Sequence, residues 1–195
     1  MHRLFNESIE KLDMDELMQG RKAYVFYSDP PWNDGNLKYW STLNYKQTGK
    51  KFSPISFEYM VNIIKNIIDK YVDGYVFLEQ GKKQTEYVVE QLKPLLFNLQ
   101  VQNISYGSGN NLLENRIIIG SKYPDLQFMK DVSGLRGAEL PYECIKTVAM
   151  PNQIVLDPFC GMGYTAIASV RNGMVFYGNE FNQHRLNKTK RRLDL

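Results

Sequence analysis

Two short stretches carry residue types that could do chemistry: Ser28 to Trp32 reads SDPPW, and Asp157 to Thr165 reads DPFCGMGYT. Each follows an apolar run, Ala23 to Tyr27 and Ile154 to Leu156, of the kind that forms a strand buried on both faces. The first stretch ends its strand with a carboxylate, two prolines that fix φ and restrict the residue before them, and a large aromatic ring. An ordinary strand-to-loop turn could have this composition, but a site that holds a flat ligand against an acid would need it. In the second stretch, Gly161 and Gly163 let backbone approach a ligand where a Cβ would clash, and α/β folds bind nucleotides in the crevice beyond the carboxyl ends of their strands. The next apolar run, Met174 to Tyr177, ends in Gly178, Asn179 and Glu180. An acid about 20 residues past a glycine turn is placed to accept from a ribose hydroxyl. The spacing predicts a nucleoside-containing cofactor; a tight turn with a helix-capping acid is the simpler alternative.

The elements that must position these residues read as one α/β domain spanning residues 1–195. A helix is expected from Ser8 to Met18, capped by Ser8, then the strand 23–27, then a polar, aromatic loop from Asn33 to Pro54. Loops of that length tend to be functional. Helical spacing of apolar residues covers 56–71, Gly74 opens a strand at 75–78, and a second helix covers 84–92. An alternating strand at 99–106, a turn with Gly107, Gly109, Asn110 and Asn111, and a strand at 116–119 read as a hairpin edge. Residues 120–137 show little periodicity. A helix at 142–149, the strand 154–156, a helix at 165–171, a strand at 174–177 and a helix at 183–193 complete the chain. This alternation predicts a largely parallel sheet with helices on both faces.

Composition sets outer limits. The chain has 195 residues, 43% hydrophobic and 23% charged, as soluble globular domains do. No basic head with an apolar core and no run near the ~18 apolar residues of a membrane span is present, so the expected location is cytoplasmic, with no membrane partner. Two cysteines, Cys144 and Cys160, and two histidines suggest neither a disulfide framework nor a metal site. The net charge of +3 is too mild to establish a nucleic-acid partner, but Lys38, Lys46, Lys50 and Lys51 are interleaved with Tyr39, Trp40 and Tyr45. That cluster makes the 33–54 loop the expected nucleic-acid clamp, with a solvated face as the alternative.

With both motifs in view, the chain resembles the S-adenosylmethionine-dependent amino-methyltransferases of nucleic acids: SDPPW matches their catalytic motif and DPFCGMG their cofactor motif. The order, catalytic motif first, resembles the permuted, beta-type class. The resemblance implies a Rossmann-like methyltransferase fold with a seven-stranded sheet. It implies cofactor contacts from Asp157, Pro158, Phe159, Cys160, Gly161, Gly163, Thr165, Asn179 and Glu180, and from Asn6 or Glu7 at the end of the opening strand. Cys160 is read as a small neighbour of the ligand, not a nucleophile. Family members often carry a Lys-Pro pair where this chain has Leu140 and Pro141 in RGAELP, so a lysine is missing there.

The resemblance also gives the first motif a physical purpose. An exocyclic amine of adenine or cytosine is a poor nucleophile because its lone pair is delocalised into the ring. Acceptors fixed on both amine protons favour a pyramidal nitrogen and stabilise the charge that grows during methyl transfer. Asp29 would supply a carboxylate oxygen, Pro30 a carbonyl, Pro31 rigidity, and Trp32 a face on which an extruded base stacks. Within the family, Asp at position 29 is commoner in adenine enzymes, so adenine N6 in DNA is the favoured target. DPPW and GNE at 178–180 also resemble eukaryotic messenger-RNA adenosine methyltransferases, which keeps RNA open. Cytosine-N4 transfer and a non-catalytic subunit are the further alternatives. Family DNA enzymes usually insert a target-recognition domain before the cofactor motif, and here only 120–137 is available. Recognition would then come from the 33–54 loop, a homodimer or a separate specificity subunit, in a bacterial or phage-encoded enzyme.

Overall fold

The computed structural model describes residues 1–50, 53–108 and 111–195. Its strands are β1 (Arg3–Phe5), β2 (Ala23–Ser28), β3 (Val72–Gln80), β4 (Phe97–Ser108), β5 (Asn111–Ser121), β6 (Ile154–Asp157) and β7 (Val175–Asn179). They form a 7-stranded sheet in the order β1-β7-β6-β2-β3-β5-β4. The first five in that order run parallel, and β5 runs antiparallel to both β3 and β4, which gives the expected hairpin edge. The helices are α1 (Met14–Met18), α2 (Asp34–Thr48), α3 (Phe57–Tyr71), α4 (Thr85–Leu92), α5 (Glu139–Val148), α6 (Tyr164–Arg171) and α7 (Gln183–Arg192).

Side chains of a strand alternate between faces, and the central strands fill one core on each face. Phe26, Val76, Leu78, Ile118 and Leu156 pack with α1, α3 and α4, while Val25, Tyr27, Phe77, Ile119, Val155 and Phe176 pack with α5 and α6. Their runs therefore read as continuous apolar stretches, as strands buried on both faces do. Among the described residues no helix is long and apolar enough to cross a membrane.

The topology fixes where a ligand can sit. β6 is followed in space by β7 on one side, and β2 by β3 on the other, so strand order reverses between β6 and β2. The crevice beyond the carboxyl ends of two such strands is the usual ligand site of an open α/β sheet. SDPPW leaves the end of β2, and DPFCGMG leaves the end of β6.

The structure corrects the expected loop at 33–54. Residues Asp34–Thr48 are helix α2, capped by Asn33, whose side chain accepts from Asn36 N, and stopped by Gly49 at φ 70°. The helix has no apolar stripe: its buried residues are Leu37, Ser41 and Asn44. Hydrogen bonds hold it instead. Asp34 Oδ1 accepts from Phe57 N at 2.8 Å, and Asn182 Nδ2 donates to Asn44 Oδ1 at 3.1 Å and Gln47 Oε1 at 2.9 Å. Smaller corrections follow from local caps. The first helix starts at Met14 with Asp13 as its cap, while Ser8 opens a turn closed by Lys11 N. β3 begins at Val72, ahead of Gly74. Gly109 and Asn110 of the expected hairpin turn lie outside the described residues.

Candidate active site

The two motifs are tied together below the surface. Ser28 Oγ donates to Asp157 Oδ1 at 2.8 Å, a buried hydrogen bond that joins the last residues of β2 and β6. Beyond it the turn 29–32 and the turn 157–163 open into one cavity of about 720 Å³. Pockets of about 300–1,000 Å³ suit small molecules and cofactors.

The SDPPW turn is held rigid on every side. Trp32 Nε1 donates to Asp29 Oδ1 at 2.9 Å, Trp32 N donates to Asn36 Oδ1 at 3.2 Å, and Gln80 Nε2 donates to Trp32 O at 3.0 Å. The indole meets the Tyr106 ring edge-on, with centroids 4.7 Å apart. Behind it lies Gly81, where any Cβ would stand 3.1 Å from Trp32 Cβ. Asp29 is exposed on the cavity wall, with protein packed around it. That desolvation raises its carboxyl to about 6, against the opposing pull of the Trp32 indole N–H and the Arg185 guanidinium.

The glycine turn is braced by acids. Glu180 accepts from Gly161 N at 2.9 Å through Oε2 and from Asn182 N at 2.7 Å through Oε1. Burial raises its carboxyl, and these N–H groups and Arg185 oppose the rise. Burial likewise lifts Asp157 to about 7, although Thr165 and Ser28 donate to it. Gly161 has φ +52°, and the space where its Cβ would stand is bounded by Arg185 Nη1 at 3.9 Å and Glu180 Oε2 at 4.0 Å. Asn179 bridges the ends of β7 and β1: its Oδ1 accepts from Glu7 N, and its Nδ2 donates to Glu7 O and Pro158 O. Cys160 is buried and its thiol is pushed well up by burial, which suppresses the thiolate.

Of the residues singled out from sequence, Asp29, Pro30, Pro31, Trp32, Glu7, Asp157, Pro158, Phe159, Cys160, Gly161, Thr165, Asn179 and Glu180 line this cavity. Asn6 does not: its amide is used in donating to Glu180 O and Phe181 O. Gly163 does not either, because α7 crosses it there; with φ +80°, its Cβ would lie 2.9 Å from Thr189 Cα. The basic aromatic cluster is split by the helix it lies on. Tyr39 and Trp40 face the cavity, while Lys38, Lys46 and Lys50 are exposed and outside its lining, and Lys51 lies outside the described residues. At 100° per residue, positions 36, 39, 40 and 43 share one face of α2, and 38 and 45 the opposite one.

Among the lining residues that sequence reasoning missed, three bear on the chemistry. Arg185 stacks its guanidinium over Trp40, 4.1 Å from the centroid, a contact of about 0.5–2 kcal/mol. Glu79 is the next-to-last residue of β3, beside Asp29, and Tyr106 comes from the hairpin. Glu79 carried a signal, an acid straight after the apolar run YVFL. Arg185 carried none, being one of several cations in a basic helix.

The model of the family described as DNA methylase, N6_N4_Mtase, matches residues 134–191, which run from before α5 into α7 and include the glycine turn and Glu180 but not SDPPW. No curated protein sequence matches the chain. Among solved structures, the chain is similar to M1.HpyAVI (TM-score 0.72, 18% identity, 100% of both chains covered), also solved as a SAM complex. It is similar to TTHA0409 of Thermus thermophilus, described as a candidate DNA modification methylase and also solved with S-adenosyl-L-methionine (TM-score 0.64, 16% identity, 98% of this chain and 93% of that one). PvuII DNA methyltransferase, cytosine-N4-specific, matches with TM-score 0.63 and 14% identity over 91% of this chain and 83% of that one. The chain thus has the Rossmann-like methyltransferase fold of these structures, a mostly parallel seven-stranded sheet with helices around it.

Proposed function

We propose that the protein is an S-adenosyl-L-methionine-dependent methyltransferase of DNA, acting on the exocyclic N6 amine of an extruded adenine, and that its motif order places it in the permuted, beta-type class. The observation that carries this reading is the Ser28–Asp157 hydrogen bond, which locks the SDPPW turn and the glycine turn into one cavity. The match of the DNA methylase family model to the glycine-turn half of the chain supports it. When bound, S-adenosylmethionine supplies an electrophilic methyl group and leaves as the neutral thioether. The residues present fit it: Gly161 leaves bare backbone beside Glu180, and Phe159 and Glu7 flank the same space.

Asp29 accepts a hydrogen bond from one amine N–H and Pro30 O from the other, so that the nitrogen lone pair turns toward the methyl carbon. The Asp29 carboxylate would stabilise the positive charge that develops on the amine nitrogen as it takes up the methyl group, and the surplus proton would leave to water. Trp32 and Tyr106 hold the base plane, with Tyr39 and Trp40 at the α2 wall. The exposed Lys38, Lys46 and Lys50, with Lys51 next in sequence, take backbone phosphates, and sequence selectivity comes from a second copy or a separate specificity subunit.

Cytosine N4 is the second reading, favoured by the likeness to the PvuII enzyme. Labelled methyl transfer to single-stranded DNA, duplex DNA and RNA, followed by nucleoside analysis, tests the proposal. N6-methyladenine from DNA is expected; N4-methylcytosine would replace the adenine assignment, label confined to RNA would replace the polymer, and label in no polymer would overturn the reading.

A further inference from the structure

Glu79 is a half-buried acid in the cavity to which the reaction above gives no task. Strands β2 and β3 pair in parallel with Ser28 opposite Leu78, so Asp29, just past the end of β2, comes in step with Glu79, next to last in β3. Tyr27 OH donates to Glu79 Oε1 at 2.7 Å, and Oε2 has no hydrogen-bond partner among the described residues. Two carboxyl groups this close cannot both ionise cheaply. The Trp32 indole N–H and the Arg185 guanidinium favour the charge on Asp29. Burial, and then the Asp29 charge, push the Glu79 carboxyl well above its usual range. With Oε1 accepting from Tyr27, the proton of a neutral Glu79 resides on Oε2. The cavity therefore presents a fixed acceptor, Asp29, beside a fixed donor, Glu79.

We propose that Glu79 is the base-reading residue of this site: its protonated carboxyl donates to ring N1 of adenine while Asp29 accepts from the adjoining N6 amine. An amine donor beside a ring acceptor occurs on the Watson–Crick edge of adenine, and on cytosine through N4 and N3. Guanine and thymine present the reverse order, a carbonyl acceptor beside a ring N–H, and would set acceptor against acceptor at Asp29 and donor against donor at Glu79. A site built to hydrogen-bond a substrate rejects an analogue that lacks the partner more strongly than an apolar pocket rejects a change of shape. The inference rests on the proposed reaction and adds to it the choice of base.

The test compares an oligonucleotide that the enzyme methylates with the same strand carrying 1-deazaadenine, which replaces N1 with C–H and keeps the amine. Wild type, Glu79→Gln and Glu79→Ala are assayed for kcat/KM on both. The wild type is expected to prefer adenine by roughly tenfold or more. Glu79→Gln, whose amide still donates, is expected to keep most of that preference, and Glu79→Ala is expected to treat both bases alike at a reduced rate. A structural role alone would lower both rates and leave the preference intact. Wild-type discrimination persisting in Glu79→Ala, or a loss in Glu79→Gln equal to that in Glu79→Ala, would overturn the inference. A wild type that methylates no oligonucleotide would overturn the reaction and this inference with it, an outcome read from the wild-type arm alone.

Discussion

Replacing Trp32 with Phe keeps a flat ring against Tyr106 but deletes the N–H that donates to Asp29 Oδ1. A hydrogen bond to a charged group is worth about 1.5–3 kcal/mol; since Asp29 is exposed on the cavity wall, the lower end applies, close to one pKa unit. The Asp29 carboxyl stands at about 6 in the native site. The substitution should move it to roughly 7, and because the active form is the carboxylate, activity rises with pH through this value. At pH 6 the ionised fraction falls from about one half to about one tenth, a fivefold loss; at pH 7 the loss is about twofold, and by pH 9 it is negligible. The assay is the pH profile of kcat/KM, whose acid limb reports groups of the free enzyme. A limb that stays in place while the rate drops uniformly would refute the reasoning, because the indole would then serve only as a surface.

Three further substitutions probe the frame around the site. Ser28→Ala leaves the buried Asp157 without one donor and is expected to cost about 1–3 kcal/mol in denaturant unfolding. Asp157 has its folded carboxyl raised to about 7 from an ordinary 3.8, so its contribution to stability is full below pH 4 and lost as pH rises through 7. Asp157→Asn should therefore flatten the fall in stability of the ligand-free protein over that window, as read by melting temperature against pH. Gly163→Ala meets Thr189 Oγ1 at 2.8 Å and Cα at 2.9 Å at a φ of +80°, and should destabilise by on the order of 1–3 kcal/mol in thermal unfolding.

The strands and the glycine turn were legible because their signals are local: apolar runs buried on both faces, and glycines and an acid at fixed offsets from strand ends. Helix α2 was not, because its inward residues include Ser41 and Asn44, and a helix held by amide hydrogen bonds has no apolar period to detect. The cap at Asn33 and the stop at Gly49 were the available signs. Asn6 and Gly163 sit at positions that suggest cofactor contact, yet one serves carbonyls of the β7–α7 connection and the other makes room for α7. Glu79 and Arg185 depend on which strand or helix lies beside Asp29, information that only strand order and packing supply.

The most direct test of the account separates catalysis from cofactor binding in Asp29→Ala, by equilibrium dialysis of S-adenosylmethionine and by methyl transfer to DNA on the same preparation. Because Asp29 lies on the β2 side of the cavity and the glycine turn on the β6 side, cofactor affinity should stay within about twofold while transfer falls by about 10²–10³-fold. Methyl transfer that survives the substitution, or cofactor binding lost along with it, would contradict the division of labour between the two turns.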